Sequence, residues 1–162
     1  MNVVGTSSSE LLRRLESGVA RLADEVEEAR LADSADAHAT GTATERSHLL
    51  GMLLAGVRPG YLAEAGRPGV VGYGARVVLE DLVDGSLQTH QVMGSEAMDI
   101  DQGHVSIESP LGRALLGRGT DEVVEVRVPA GVRRYRIVQV RSLGEILDEI
   151  EAEGAATPGS HG

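Results

Sequence analysis

Side chains able to act as nucleophiles or metal ligands are sparse in this chain of 162 residues. It has no cysteine, which removes thiol nucleophiles, thiolate metal sites and any disulfide framework. Its five histidines, His38, His48, His90, His104 and His161, are scattered along the chain. No two stand at the spacing that puts paired ligands on one helix face, so neither a structural nor a catalytic zinc is expected. The aromatic residues are Tyr61, Tyr73 and Tyr135, with no Phe or Trp, so stacking platforms for single-stranded nucleic acid are missing. All 15 basic residues are arginine, against 25 acidic ones and a net charge of −10. Such a chain is a poor stand-alone nucleic-acid binder, and work near nucleic acid would need a partner protein to bring it there.

What remains is carboxylate chemistry, and the elements that would carry it are helical. From residue 8 the apolar positions Leu12, Leu15, Val19, Leu22, Val26 and Ala29 step by three and four, a heptad seam, after a Ser cluster that can cap the first turn. A second stretch offers Ala39, Ala43, Arg46, Leu50, Leu53 and Val57 with the same steps. Opposed in antiparallel order, the six pairs have residue numbers that sum to 68 or 69 throughout, which centres the fold-back near Ser34. A shared centre favours a hairpin within one chain over a dimerising coiled coil. The turn then holds Asp33 and Asp36. Helices of roughly 24 residues would reach about 35 Å. Large aliphatics fill the base of this hairpin, while Ala faces Ala beside Thr40, Gly41, Thr42 and Thr44 towards the tip, so a firm base and a frayed tip are expected.

The rest of the chain changes character. Residues 58–72 carry the Pro and Gly punctuation of a linker. Residues 73–142 read as short strands at 75–81, 87–93, 122–128 and 134–140, with turns at 83–86 and 129–131. Ser109 caps a short helix that starts at Pro110 and stops at Gly117. Four or so antiparallel strands and one helix predict an α+β domain. A short acidic helix follows at 143–153, and the tail to residue 162 reads as small, polar and disordered. No apolar run approaches the roughly 18 residues a bilayer span needs. The first ten residues lack the basic patch and apolar core of a leader. A cytoplasmic monomer is expected.

Four motifs within residues 74–140 resemble the C-terminal domain of the Gre transcript-cleavage factors. They are G-x-x-V-x-L-x-D at 74–81, V-M-G-S-E-A-M-D at 92–99, V-S-I-E-S-P-L-G-R-A-L-L-G-R at 105–118 and D-E-V-V-E-V-R-V-P-A-G at 121–131. The S-P-L-G-x-A-L-L-G run is the specific part. The resemblance implies an FKBP-like fold for 73–142, behind the helical hairpin of 8–57. It implies binding of RNA polymerase, with Ser109, Pro110, Leu111, Gly112 and Arg113 docking on the largest subunit at the rim of the secondary channel. The hairpin would pass down that channel, and tip carboxylates would help hold a magnesium ion shared with the polymerase. Asp33 and Asp36 are the candidates, with Arg30 and Arg46 as the basic residues near the nascent RNA. No tightly bound cofactor and no catalytic residue of its own are implied.

The tip departs from the family pattern, roughly G-D-L-S-E-N-A-E-Y-H. Here it reads A-D-S-A-D-A-H at 32–38, about three residues shorter. Aligning Asp33 and Asp36 with the D-x-x-E pair keeps both functional carboxylates. Anchoring on His38 places Asp33 on the functional Glu and loses the Asp. Two outcomes stay open at this level: modulation of elongation or cleavage through the tip, and a Gre-like inhibitor or adaptor without cleavage stimulation. Prolyl isomerase activity, suggested by an FKBP-like fold, lacks the aromatic-lined pocket it would need.

Overall fold

The computed structural model describes residues 7–31, 37–95 and 99–155. Two helices come first, α1 (Ser8–Leu31) and α2 (Ala37–Gly56), packed against each other. The Ser7 hydroxyl accepts the Glu10 N–H at 3.2 Å and so caps the first turn of α1. The helices stop and restart symmetrically about residue 34, as the pair sums require. A Cβ placed on Gly18 would lie 2.8 Å from Leu50 Cδ1, which sets the two residues opposite each other.

The buried stripe differs from the expected seam by a small rotation. Leu11, Leu15 and Leu22 are buried with Gly18, whereas Leu12, Val19 and Val26 are only half-buried. The cause is a second set of neighbours, since α1 also packs on a later helix, α4 (Leu143–Ala155), and on a 3-10 turn, Tyr61–Ala63. A helix held on two sides buries the residues between the contacts, and at 11–12 the sequence offers Leu in both positions.

Residues 58–72, expected as a linker, are packed instead. Leu62, Ala65 and Val71 are buried, and Tyr61 lies 5.2 Å from Tyr73, ring centre to ring centre. Val71 bonds both ways with the segment after the third helix: its N–H donates to Arg118 O at 2.8 Å, and its carbonyl accepts from Gly117 at 2.9 Å. The Pro and Gly residues here shape a compact turn; they do not mark a spacer.

Five strands follow: β1 (Arg76–Asp81), β2 (Leu87–Met93), β3 (His104–Ser106), β4 (Val123–Val128) and β5 (Gly131–Arg141). Their order in the sheet is β3-β2-β1-β5-β4. All neighbours are antiparallel except β2 and β3, which run parallel. That short parallel strand was not expected from sequence, where three residues give too little alternation to see. The α+β class is as expected. A register shift between Val78 and Leu79 bulges β5 at Val138 and increases the local twist. The inner face carries Val77, Leu79, Val92, Val124, Val126 and Ile137, and α3 (Pro110–Leu115) covers it with Leu115.

The chain then turns at Ser142 into α4. Ser142 Oγ accepts the Glu145 N–H at 3.1 Å, and Glu145 Oε1 accepts the Ser142 N–H at 2.8 Å, a reciprocal capping box. Leu143, Ile146, Leu147 and Ile150 form its buried face. Among the described residues, no helix is long and apolar enough to cross a membrane.

Candidate functional site

The S-P-L-G turn is built on backbone that has no slack. Ser109 is extended, and its hydroxyl accepts the Gly112 N–H at 3.0 Å, which caps α3. The same hydroxyl donates to Ser106 O at 2.7 Å, tying the cap to the end of β3. Pro110 occupies the first helical turn, where its missing N–H costs nothing. Gly112 is required by contact, not by conformation: a Cβ there would meet Ser106 O at 2.0 Å. Ser106 is itself buried, and its hydroxyl contacts Ser95 Oγ at 2.5 Å and accepts the Glu108 N–H at 3.0 Å.

The five candidate docking residues are thus brought together, with divided roles. Ser109 and Gly112 fix the turn, and Leu111 is half-buried against the core. Pro110 and Arg113 are the exposed ones, so a partner at this corner would meet chiefly these two. Beside them runs a groove of about 440 Å³ lined by Tyr61, Glu64, Glu108, Arg113 and Leu116 among others. Tyr61 donates its hydroxyl to Glu108 Oε2 at 2.7 Å across it. Tyr61 and its groove were not singled out by sequence, because the residue sits in the stretch read as a linker.

The other candidates lie on the hairpin. Asp33 and Asp36 fall outside the described residues, as does His38's side chain. Arg30 lies in the last turn of α1, with its side chain outside the described set. Arg46 is half-buried on α2. The structure therefore gathers the docking candidates at one corner. Among the described residues, no group of three His, Cys, Asp or Glu side chains could hold a metal ion.

The hairpin meets the β domain at a buried joint. The Tyr73 hydroxyl donates to Leu53 O at 2.5 Å, satisfying one of the last carbonyls of α2, which have no partner within the helix. Burial, and secondarily Tyr61, pushes the Tyr73 phenol well above its ordinary value, so it stays a neutral donor. A Cβ on Gly94, just after β2, would lie 2.5 Å from Gly56 O at the end of α2. On the opposite side, Arg14 of α1 donates to Asp148 at 2.5 Å and to both carboxylate oxygens of Glu151 at 2.8 and 2.9 Å. The Glu151 hydrogen bond outweighs burial and, with Asp148, raises the Arg14 pKa. Sequence showed the acidic helix but not this attachment.

Comparison with known proteins locates the likeness in one part of the chain. Residues 66–142 match the family model described as transcription elongation factor GreA/GreB, C-terminal. The transcription elongation factor GreA of Verminephrobacter eiseniae is 43% identical over 72 residues, which are 44% of this chain and 46% of that protein. The GreA of Alkalilimnicola ehrlichii is 45% identical over 73 residues, 45% of this chain and 46% of that protein. The chain thus matches a little under half the length of these curated relatives. Among solved structures, the GreA factor homolog Gfh1 of Thermus thermophilus aligns with 83% of this chain and 94% of its own at a TM-score of 0.41 and 23% identity. Residues 66–142, a little under half of this chain, are thus similar to the C-terminal domain of the GreA/GreB transcription elongation factors.

Proposed function

We propose that this protein binds RNA polymerase as a secondary-channel factor and modulates elongation or transcript cleavage, without being an enzyme itself. The observation that carries the reading is the S-P-L-G turn. Inside a domain matched to GreA/GreB, its backbone is held by Ser106, Ser109 and Gly112, and Pro110 and Arg113 are left facing outward. A turn held this firmly presents the same surface in the free and the bound state, which lowers the ordering cost of association. The docking partner is the largest polymerase subunit at the rim of its secondary channel. The protein works in the cytoplasm as a monomer.

The hairpin is the second working part. With α1 ending at Leu31 and α2 starting at Ala37, Asp33 and Asp36 occupy the connection between them. Their carboxylate oxygens are the hard donors magnesium prefers, so these two residues would hold an ion shared with the polymerase active centre. Such an ion, once bound, helps clamp the attacking and leaving oxygens of a phosphodiester. Arg30 and Arg46 are the basic residues that this reading assigns to the nascent RNA. This chain supplies ligands and position, and the polymerase supplies the rest of the chemistry.

The docking test is co-purification of polymerase with wild type and with Pro110→Ala/Arg113→Glu. Both side chains are exposed, so the variant keeps its fold. Loss of binding is expected, and undiminished binding would sink the docking assignment. The tip test is Asp33→Ala/Asp36→Ala on stalled elongation complexes across a magnesium titration. Binding stays, while the effect on cleavage or elongation is lost. Coincident curves for the two proteins would return Asp33 and Asp36 to the status of a solvated turn.

A further inference from the structure

The family match ends at residue 142, and α4 starts one residue later, outside the matched domain. We propose that α4 is an intramolecular strap that sets the direction of the helical hairpin on the β domain, with Arg14 as its positioning residue. The inference deepens the proposed function and rests on it in one respect only: the hairpin is what must be aimed.

The strap has two anchors. The first is on the β domain. Leu143 is fully buried, and a Cβ on Gly74 would lie 3.2 Å from its Cβ. The Gly144 N–H donates to Ala65 O at 3.2 Å, and Ser142 and Glu145 cap the helix start. This end of α4 cannot swing without breaking the capping box and uncovering Leu143. The second anchor is on α1. Asp148 and Glu151 hold the Arg14 guanidinium from two turns of α4, one of them in two-point fashion, and Arg21 Nη2 donates to Ile150 O at 3.3 Å. A planar guanidinium gripped at several points fixes orientation, where a single-point ammonium contact would allow rotation.

The exposures say which partner matters. The Arg14 side chain is 15% exposed, against 72% for Asp148 and 42% for Glu151. Arg14 is the withdrawn group. The neighbouring pair Arg13–Glu10 lies within α1 and positions nothing outside that helix. The Tyr73 bond to Leu53 and the Gly94–Gly56 approach pin α2 at the other side of the joint. With α2 pinned there and α1 strapped here, the hairpin has one allowed direction. The strap spans more than 130 residues of sequence, so it is tertiary in origin.

The absence of cysteine allows two unique spin labels. Exposed Ala20 on α1 and Val83 in the β1–β2 turn take them as Ala20→Cys and Val83→Cys. Pulsed electron resonance on the full chain should give one narrow distance distribution. Arg14→Glu should broaden it and shift its mean. Adding Asp148→Arg and Glu151→Arg, which rebuilds the pair with its charges exchanged, should restore the narrow peak. Arg14→Met, which keeps the length without the charge, should broaden the peak with less shift. A peak in Arg14→Glu as narrow and as placed as in wild type would overturn the proposal, even if the melting temperature fell. On polymerase, Arg14→Glu should lower the maximal effect and leave the apparent affinity unchanged, because docking lies elsewhere. A wild-type chain without any effect on polymerase would refute the functional reading, while the distance measurements would still decide the strap.

Discussion

The same hairpin is built in two ways along its length. Near the β domain, Leu11, Leu15, Leu50 and Leu53 are completely buried, enclosed by the opposite helix and by α4 or the 3-10 turn. Beyond Leu22, Val26 and Ala43 are only half-buried. Two helices alone cannot enclose an apolar stripe, so their stability falls with distance from the support. The difference teaches that the hairpin is a cantilever: its rigidity is generated at the root, and its far end inherits direction, not strength.

The most direct way to break this comparison is to remove the same kind of packing from both parts. Leu15→Ala should cost about 2–5 kcal/mol, as fully packed leucines do. Val26→Ala should cost less than about 1 kcal/mol, the upper range for a half-exposed methyl pair. Urea unfolding of the two variants measures the contrast, and hydrogen exchange should show slower opening around Leu15 and Leu53 than around Val26 and Ala43. Equal losses at Leu15 and Val26 would remove the cantilever picture.

The joint offers a sharper and smaller test. Gly94→Ala must push Gly56 away and should cost about 1–3 kcal/mol, the range for overpacking. Tyr73→Phe leaves the Leu53 carbonyl without its donor and should cost about 1–2 kcal/mol. Both changes lie at the root, so both should lower the unfolding midpoint of the whole chain in one transition. A variant with a separate, earlier transition would show that the hairpin and the β domain are not coupled through this joint.

The smallest effect expected is a pH dependence at the edge of the joint. His104 lies in the groove between α2 and β2, with Glu45 and His48 from α2, Arg76 from β1 and His90 from β2. The Asp99 N–H donates to His104 Nδ1 at 2.9 Å, which requires that nitrogen to be unprotonated. Burial, opposed by Asp99 and assisted by His48, lowers the His104 pKa. The unfolded chain therefore binds the proton first as pH falls. Stability is full above about 6.5, the ordinary histidine value, and declines as pH drops below it towards the folded pKa. Urea midpoints of wild type and His104→Gln, compared between about pH 7 and about pH 5, should diverge in slope, with the variant flatter. Parallel slopes would remove His104 as the cause.

Periodicity and local chemistry made much of the described structure readable. The fold-back centre followed from pair sums, the α3 cap from Ser109 and Pro110, and four of the five strands from alternation and turn residues. The exact seam was less readable, because Leu11 and Leu12 are equally apolar and only the position of α4 chooses between them. Residues 58–72 look like a spacer because Pro and Gly serve tight packed turns as well as open ones. The attachment of Arg14 to α4 was invisible, since no local rule links it to Asp148 and Glu151 across the chain. In the candidate site, Ser109 to Arg113 were identifiable as a group, but their division into supporting and presented residues needed the Ser106 contacts.

The closure between α1 and α4 also bears on the order in which the molecule assembles. Contacts between α1 and α2 join residues close in sequence and can form early, whereas Arg14 must wait for nearly the entire chain before Asp148 and Glu151 exist to receive it. Bringing such distant segments together carries the largest loop-closure entropy in the fold, so this contact belongs after the rate-limiting step. Weakening it should leave the refolding rate nearly untouched and accelerate unfolding. Release of α4 would then be an opening through which a protease could reach the base of the hairpin.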